Sequence, residues 1–185
     1  LLIAAVIACF SVAQPALADL IANGGFETGD FTGWTVVLDV TYPASITTLP
    51  AYVHSGTYAA QVAGSASYNE LSQTVSTTPG QYYALSFWLN TITTGNDFRA
   101  LWDGNAVLTG NITPQGYVQY SYVVGGTGSD TVEFDGRNVP GWFYLDDVSL
   151  TPTNAVPEPS GVVALLGLCG MGLLGMAWRR RRCTA

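Results

Sequence analysis

The chain contains no lysine at all, and its six basic residues are all arginine. Four of these, Arg179 to Arg182, form one run near the C-terminus, leaving Arg99 and Arg137 for the rest. Residues 19–155 therefore set two arginines against twelve carboxylates, a net charge of −10. A domain that acidic repels phosphate backbones, which excludes nucleic acid as a partner. Cysteine is equally scarce. Cys9, Cys169 and Cys183 all lie in the terminal segments, so the middle has no disulfide framework, zinc cluster or cysteine nucleophile. Histidine occurs once, at His54. It stands beside Ser55 and Gly56 in no catalytic motif, and a histidine-based triad has nothing else to rest on. The adjacent pair Asp146-Asp147 points to opposite faces of a strand by the two-residue period, which disfavours paired acid–base work. The reading is a protein that is not an enzyme.

What the chain does have at its ends is hydrophobicity. Residues 1–18 read LLIAAVIACFSVAQPALA, an apolar run followed by Ala16-Leu17-Ala18. Small residues at Ala16 and Ala18 are the pattern of a signal-peptidase site, so residues 1–18 read as a signal peptide, incomplete at its N-terminus and cleaved after Ala18. Val6-Ile7-Ala8-Cys9 is the rival, as a loose lipoprotein signal. Near the other end, residues 161–178 carry no charge. As a helix rising ~1.5 Å per residue they reach about 27 Å, close to a hydrocarbon core of ~30 Å. Trp178 suits the interface, and the Arg179–Arg182 run places that end in the cytoplasm by the positive-inside rule. Signal and anchor agree on orientation: the acidic body is exported and held at the cytoplasmic membrane by its C-terminal helix.

Ahead of that helix stands Val156-Pro157-Glu158-Pro159-Ser160, whose two prolines enforce an extended spacer. Motif, glycine-rich helix and arginine run, in that order, closely resemble the PEP-CTERM sorting tail of Gram-negative bacteria, also described as the ice-binding-protein C-terminal domain. The resemblance implies recognition by an exosortase, cleavage near Pro157–Pro159, a transient membrane anchor, and release or transfer to the cell surface. It also associates the protein with exopolysaccharide and biofilm. Residues 154–185 are read as this tail and residues 19–153 as the exported domain.

The body is written in short apolar-alternating runs between turn residues. Expected strands are 35–40, 57–62, 71–75, 82–90, 98–102, 106–109, 117–124, 131–134 and 142–150. Asp103-Gly104 between FRALW and NAVLT marks a hairpin. No helical period is sustained, so the fold class is all-β, a jelly-roll β-sandwich. The segments IANGGFETGDFTGW (21–34), SGTYA (55–59), YYALSFWLN (82–90) and FYLDDVSL (143–150) resemble the galactose-binding-type jelly roll of many carbohydrate-binding modules.

In the last of these, Asp146, Val148 and Leu150 share a face by period, which predicts an inward carboxylate in need of compensation. The resemblance implies that Glu27 and Asp146 share a structural Ca²⁺, with backbone oxygens near Ser55–Gly56. The alternative is that Glu27 caps a turn and Asp146 accepts backbone N–H bonds. For a ligand, flat aromatic rings are needed. Trp34 reads as core, whereas Trp88 shares its strand face with Ser86 and Asn90. Trp88 and Trp102 are the candidate sugar-stacking residues. The function expected is non-catalytic carbohydrate binding at the cell surface or in the extracellular matrix, the cell's own exopolysaccharide being the partner; the rival is a structural or adhesive biofilm matrix protein with no sugar affinity.

Overall fold

The computed structural model describes residues 18–154. Ten strands occur there: β1 (Thr35–Val37), β2 (Ser45–Thr47), β3 (Ala59–Val62), β4 (Asn69–Ser76), β5 (Tyr82–Thr91), β6 (Asp97–Trp102), β7 (Asn105–Gly110), β8 (Gln115–Gly125), β9 (Ser129–Arg137) and β10 (Phe143–Thr153). A single 3-10 turn, Pro50–Tyr52, is the only helical element among the described residues. None of their helices is long and apolar enough to cross a membrane. Residues 1–17 with Ala16, the motif Val156–Ser160, the apolar run 161–178 and Arg179–Arg182 lie outside the described residues; Ala18 is the first one within them.

The strands form two antiparallel five-stranded sheets, ordered β1-β4-β9-β6-β7 and β2-β3-β10-β5-β8. Strands β4, β5, β6 and most of β9 alternate because one face of each sheet packs inward. In β5, Tyr83, Leu85, Phe87 and Leu89 are buried while Tyr82, Ala84, Ser86 and Trp88 are half-buried. Phe26, Phe87, Phe98, Phe134 and Phe143 are fully buried between the sheets. Phe87 meets Phe134 edge-on at 4.9 Å, and Phe98 meets Phe143 at 5.0 Å. The expected hairpin joins β6 to β7, with positive φ at both Asp103 (49°) and Gly104 (73°), as a type I′ turn requires. The strand not foreseen is β2, three residues between Pro43 and Pro50, too short to show a period.

The N-terminal loop is fastened to the last strand. Leu20 N–H donates to Leu150 O (3.0 Å), Val148 N–H to Gly24 O (2.9 Å) and Leu150 N–H to Asp19 Oδ1 (2.8 Å). A side chain at Gly24 would run into the Val148 carbonyl, so the close approach needs glycine. Trp34 is core, as expected: it stacks on Phe26 at 5.7 Å and donates its Nε1–H to Asn23 O.

One expectation about β10 is corrected. The register slips between Asp146, opposite Trp88, and Ser149, opposite Ser86: three residues on β10 answer two on β5. Asp147 sits at φ 46° in this bulge. Leu145 and Leu150, five apart, both oppose inward leucines, Leu89 and Leu85. Asp146 therefore lies not with Leu150 on the core face but with Trp88 on the outer one. It is buried because a loop covers it, not because it enters the core.

Candidate functional site

That loop, residues 50–58, crosses the outer face of the β2-β3-β10-β5-β8 sheet. Asp146 Oδ2 accepts from the backbone N–H groups of His54 (2.9 Å) and Ser55 (3.3 Å), while Asp146 Oδ1 accepts from Asp147 N–H (2.8 Å). Further along the loop, Glu27 accepts from Thr57 N–H (2.9 Å) and Tyr58 N–H (3.0 Å). No side chain fits at Gly56, where the Glu27 carboxylate lies against the backbone. Burial pushes the Asp146 carboxyl up to about 6; the neighbouring Asp147 charge adds to this, and the loop's N–H groups work against it.

Asp147 does not point away from Asp146 as a regular strand would require. The bulge turns it onto the same loop, where its Oδ2 is 2.6 Å from His54 Nδ1 and its Oδ1 accepts from Ser55 Oγ (2.8 Å). Ser55, His54 and Asp147 are thus neighbours, but the serine hydroxyl bonds the carboxylate rather than the imidazole. That geometry does not pass a proton from serine to histidine.

Glu27 and Asp146 offer carboxylate oxygens, the ligand type a hard cation prefers, but the groups that meet them are backbone N–H donors. Glu27, Asp146 and Asp147 surround Gly25: a Cβ there would lie 3.5 Å from Asp147 Oδ1, 3.7 Å from Glu27 Cγ and 3.9 Å from Asp146 Oδ1. Among the described residues, no three acidic, histidine or cysteine side chains form a ready metal-ligating group. Backbone N–H groups occupy part of each carboxylate, so the two residues fit Ca²⁺ by donor type and shared neighbourhood only.

Aromatic rings accumulate where the loop meets the sheet. His54 stacks on Trp88 (3.8 Å between centroids, 18° between planes), and Tyr52 stacks on Tyr144 (4.2 Å, 2°). Tyr117 on β8 approaches His54 edge-on at 5.2 Å and donates its hydroxyl to Tyr52 O (2.9 Å). Burial raises the Tyr117 phenol well above its ordinary value, so it stays a neutral donor. Tyr52, His54, Trp88 and Tyr117 are each half-buried. Asn90 faces Tyr144 across the β5–β10 pair and is 6% exposed. Its Oδ1 is buried and meets no hydrogen-bond donor among the described residues. The surrounding outer face is small and polar: Gln61 (β3), Ser86 (β5), Gln119 and Ser121 (β8), Ser149 (β10).

Trp88 belongs to this cluster, with one face covered by His54. Trp102 does not. It is 7% exposed inside the sandwich, on the other sheet, with its Nε1–H donated to Gly125 O (2.9 Å). The strand period puts Trp102 with Phe98 and Ala100 on the core face, so no ring face is left for a ligand. Tyr52 and Tyr144 were missed. Tyr144 could have been found, since it shares a strand face with Asp146 two residues on; Tyr52 arrives from a distant loop and leaves no periodic signal.

Two comparisons bear on this architecture. Residues 155–182 match the PEP-CTERM protein-sorting motif. This is a PEP-CTERM tail. The motif carries export and membrane-anchored sorting with it, and it begins where the described strands end. No curated protein matches the chain. Among solved structures, the module TmCBM61 in complex with β-1,4-galactotriose superposes with a TM-score of 0.59 at 22% identity, covering 74% of this chain and 99% of that one. The CBM22-1 xylan-binding domain of Paenibacillus barcinonensis Xyn10C gives a TM-score of 0.56 at 16% identity over 78% and 100% of the two chains. The K3 adhesin domain of Lys-gingipain from Porphyromonas gingivalis gives 0.54 at 18%, over 74% and 99%. At these identities the likeness is one of fold: the body shares with these domains an all-β sandwich of two antiparallel sheets.

Proposed function

We propose that this PEP-CTERM protein is an exported, exosortase-sorted surface or matrix protein whose β-sandwich binds a glycan without catalysis. The binding face is the outer side of the β2-β3-β10-β5-β8 sheet around Tyr52, Trp88 and Tyr117. The observation that carries this reading is the cluster of half-buried rings, Tyr52, Trp88 and Tyr117, on an otherwise polar outer sheet face. Sugar faces stack on rings, and the exposed Gln119 and Ser121 beside them can hydrogen-bond sugar hydroxyls. The ligands of two neighbours in fold, galactotriose and xylan, support the choice of a neutral polysaccharide.

In the same reading, Val156–Ser160 is the exosortase recognition stretch, the apolar run 161–178 the transient anchor, and Ala16-Leu17-Ala18 the signal cleavage site. Glu27 and Asp146 hold a structural Ca²⁺ with loop carbonyls. When bound, the ion neutralises the buried Asp146 and the exposed Glu27 together and pins the N-terminal loop to β10.

Calorimetric titration with β-1,4-galactotriose, xylohexaose and the producing cell's own polysaccharide tests the binding face. Stacking on one ring contributes about 1 kcal/mol, so Trp88→Ala or Tyr52→Ala should weaken binding roughly five- to tenfold. If none of the glycans bind with calcium present, the rival reading holds: a structural or adhesive matrix protein.

A further inference from the structure

β8 is an outside strand along its whole length, bonded to β5 on one side and to no strand on the other among the described residues. Natural sheets protect such edges by making them short, charged, proline-bearing or covered. β8 has eleven residues, Gln115–Gly125, reading QGYVQYSYVVG. It contains no charged residue and no proline, although the body around it carries twelve carboxylates. Three tyrosines and three valines give it high strand preference. Val118 and Val123 are 40% and 38% exposed. An uncharged, strand-forming edge of this length is a template for another strand.

We propose that β8 is a self-association surface, pairing antiparallel with β8 of a second copy of this chain about a two-fold axis at Tyr120. Three observations choose a second copy and this strand. The other outside strands are too short to match it: β1 and β2 have three residues each, and β7 has six. The sequence is also self-complementary about Tyr120. In that register Gln119 faces Ser121, Tyr117 faces Val123 and Val118 faces Tyr122, pairing polar with polar and aromatic with β-branched, the favourable cross-strand combinations. The exposed valines are covered by tyrosines. Finally, two bodies of charge −10 repel, and an eleven-residue strand free of carboxylates is where they approach at least cost. The contact is isologous and closes as a dimer rather than growing into a fibre. It joins two five-stranded sheets into one of ten strands, bringing the outer faces of both copies onto one continuous surface.

Sedimentation of the full chain in mild detergent tests this with residues that are exposed and tolerant of change. Gln119→Lys with Ser121→Lys puts like charges opposite each other at the two-fold, whereas Gln119→Lys with Ser121→Glu puts opposite charges there. A dimer of the wild-type chain is expected, at least tenfold weaker in the double-lysine variant and restored in the lysine–glutamate variant. Val118→Lys, at a different exposed position on the same strand, should also dissociate it. Added salt should strengthen wild-type association by screening the two acidic bodies. A monomeric wild type, a dimer indifferent to the double-lysine change, or failure of the lysine–glutamate pair to restore it would each overturn the proposal.

Discussion

Asp135 on β9 sits between Glu70 on β4 and Arg99 on β6, directly opposite both, with Glu133 two residues away on the same face. Its carboxylate is 1% exposed, and Arg99 Nη2 lies 2.7 Å from Oδ2. One partly exposed guanidinium, which also stacks on Tyr68 at 4.1 Å, does not offset burial together with two neighbouring acids. Burial, reinforced by the charges of Glu133 and Glu70, pushes the Asp135 carboxyl up to about 7. Between about pH 4 and pH 7 the folded chain thus keeps a proton that the unfolded chain has released. Stability from this group is complete below pH ~4 and is lost as pH rises through about 7. A rise from 3.8 to about 7 corresponds to at most about 4 kcal/mol, and sharing with Glu133 brings the expectation to about 2 kcal/mol. Asp135→Asn has the same shape and no charge. It should match the wild type near pH 4 and exceed it by about 2 kcal/mol near pH 8, or roughly 6 °C in melting temperature. Urea unfolding of both proteins across this range measures the difference directly, because every other titrating group is common to the two. Parallel stability–pH curves, or an asparagine variant weaker at pH 8, would refute the reasoning.

Two further outcomes follow from the same structure. If calcium bridges Glu27 and Asp146, chelation lowers the melting temperature of the wild type, and Glu27→Ala or Asp146→Ala abolishes that difference; an unchanged melting curve removes the metal. Asn69 is fully buried, accepts from the N–H groups of Asp39 (2.8 Å) and Ala44 (3.1 Å), and donates to the carbonyls of Tyr42 (2.7 Å) and Ala63. Asn69→Ala strands those four backbone groups and should cost about 3 kcal/mol in chemical denaturation; a loss below about 1 kcal/mol would mean that water replaces the side chain.

The sandwich was legible because its long strands alternate: YYALSFWLN divides into an inner leucine–phenylalanine face and an outer serine–tryptophan–asparagine face, and the structure follows that division. Asp103-Gly104 marked its hairpin because positive φ at two consecutive positions favours this dipeptide. The site was less legible for two physical reasons. A bulge leaves the periodic pattern intact up to the residue where it breaks, so Asp146 was assigned to the wrong face and Asp147 to the wrong direction. The loop carrying Tyr52 and His54 reaches Tyr144, Trp88 and Asp147 across more than thirty positions of sequence, and no local pattern encodes where a loop lands. Trp102 and Trp88 look alike in sequence, each a tryptophan in an alternating strand; only the inward period of β6 separates them.

Among the described residues β10 is the last strand in the chain and the middle one of its sheet, joined to β3 on one side and β5 on the other. Until it arrives, β2–β3 and β5–β8 have nothing between them, and the N-terminal loop has nothing to close on. The polypeptide therefore reaches its native state only when about residue 150 is free to enter. Completion of the β2-β3-β10-β5-β8 sheet and closure of the N-terminal loop both wait on the residues that immediately precede the sorting tail.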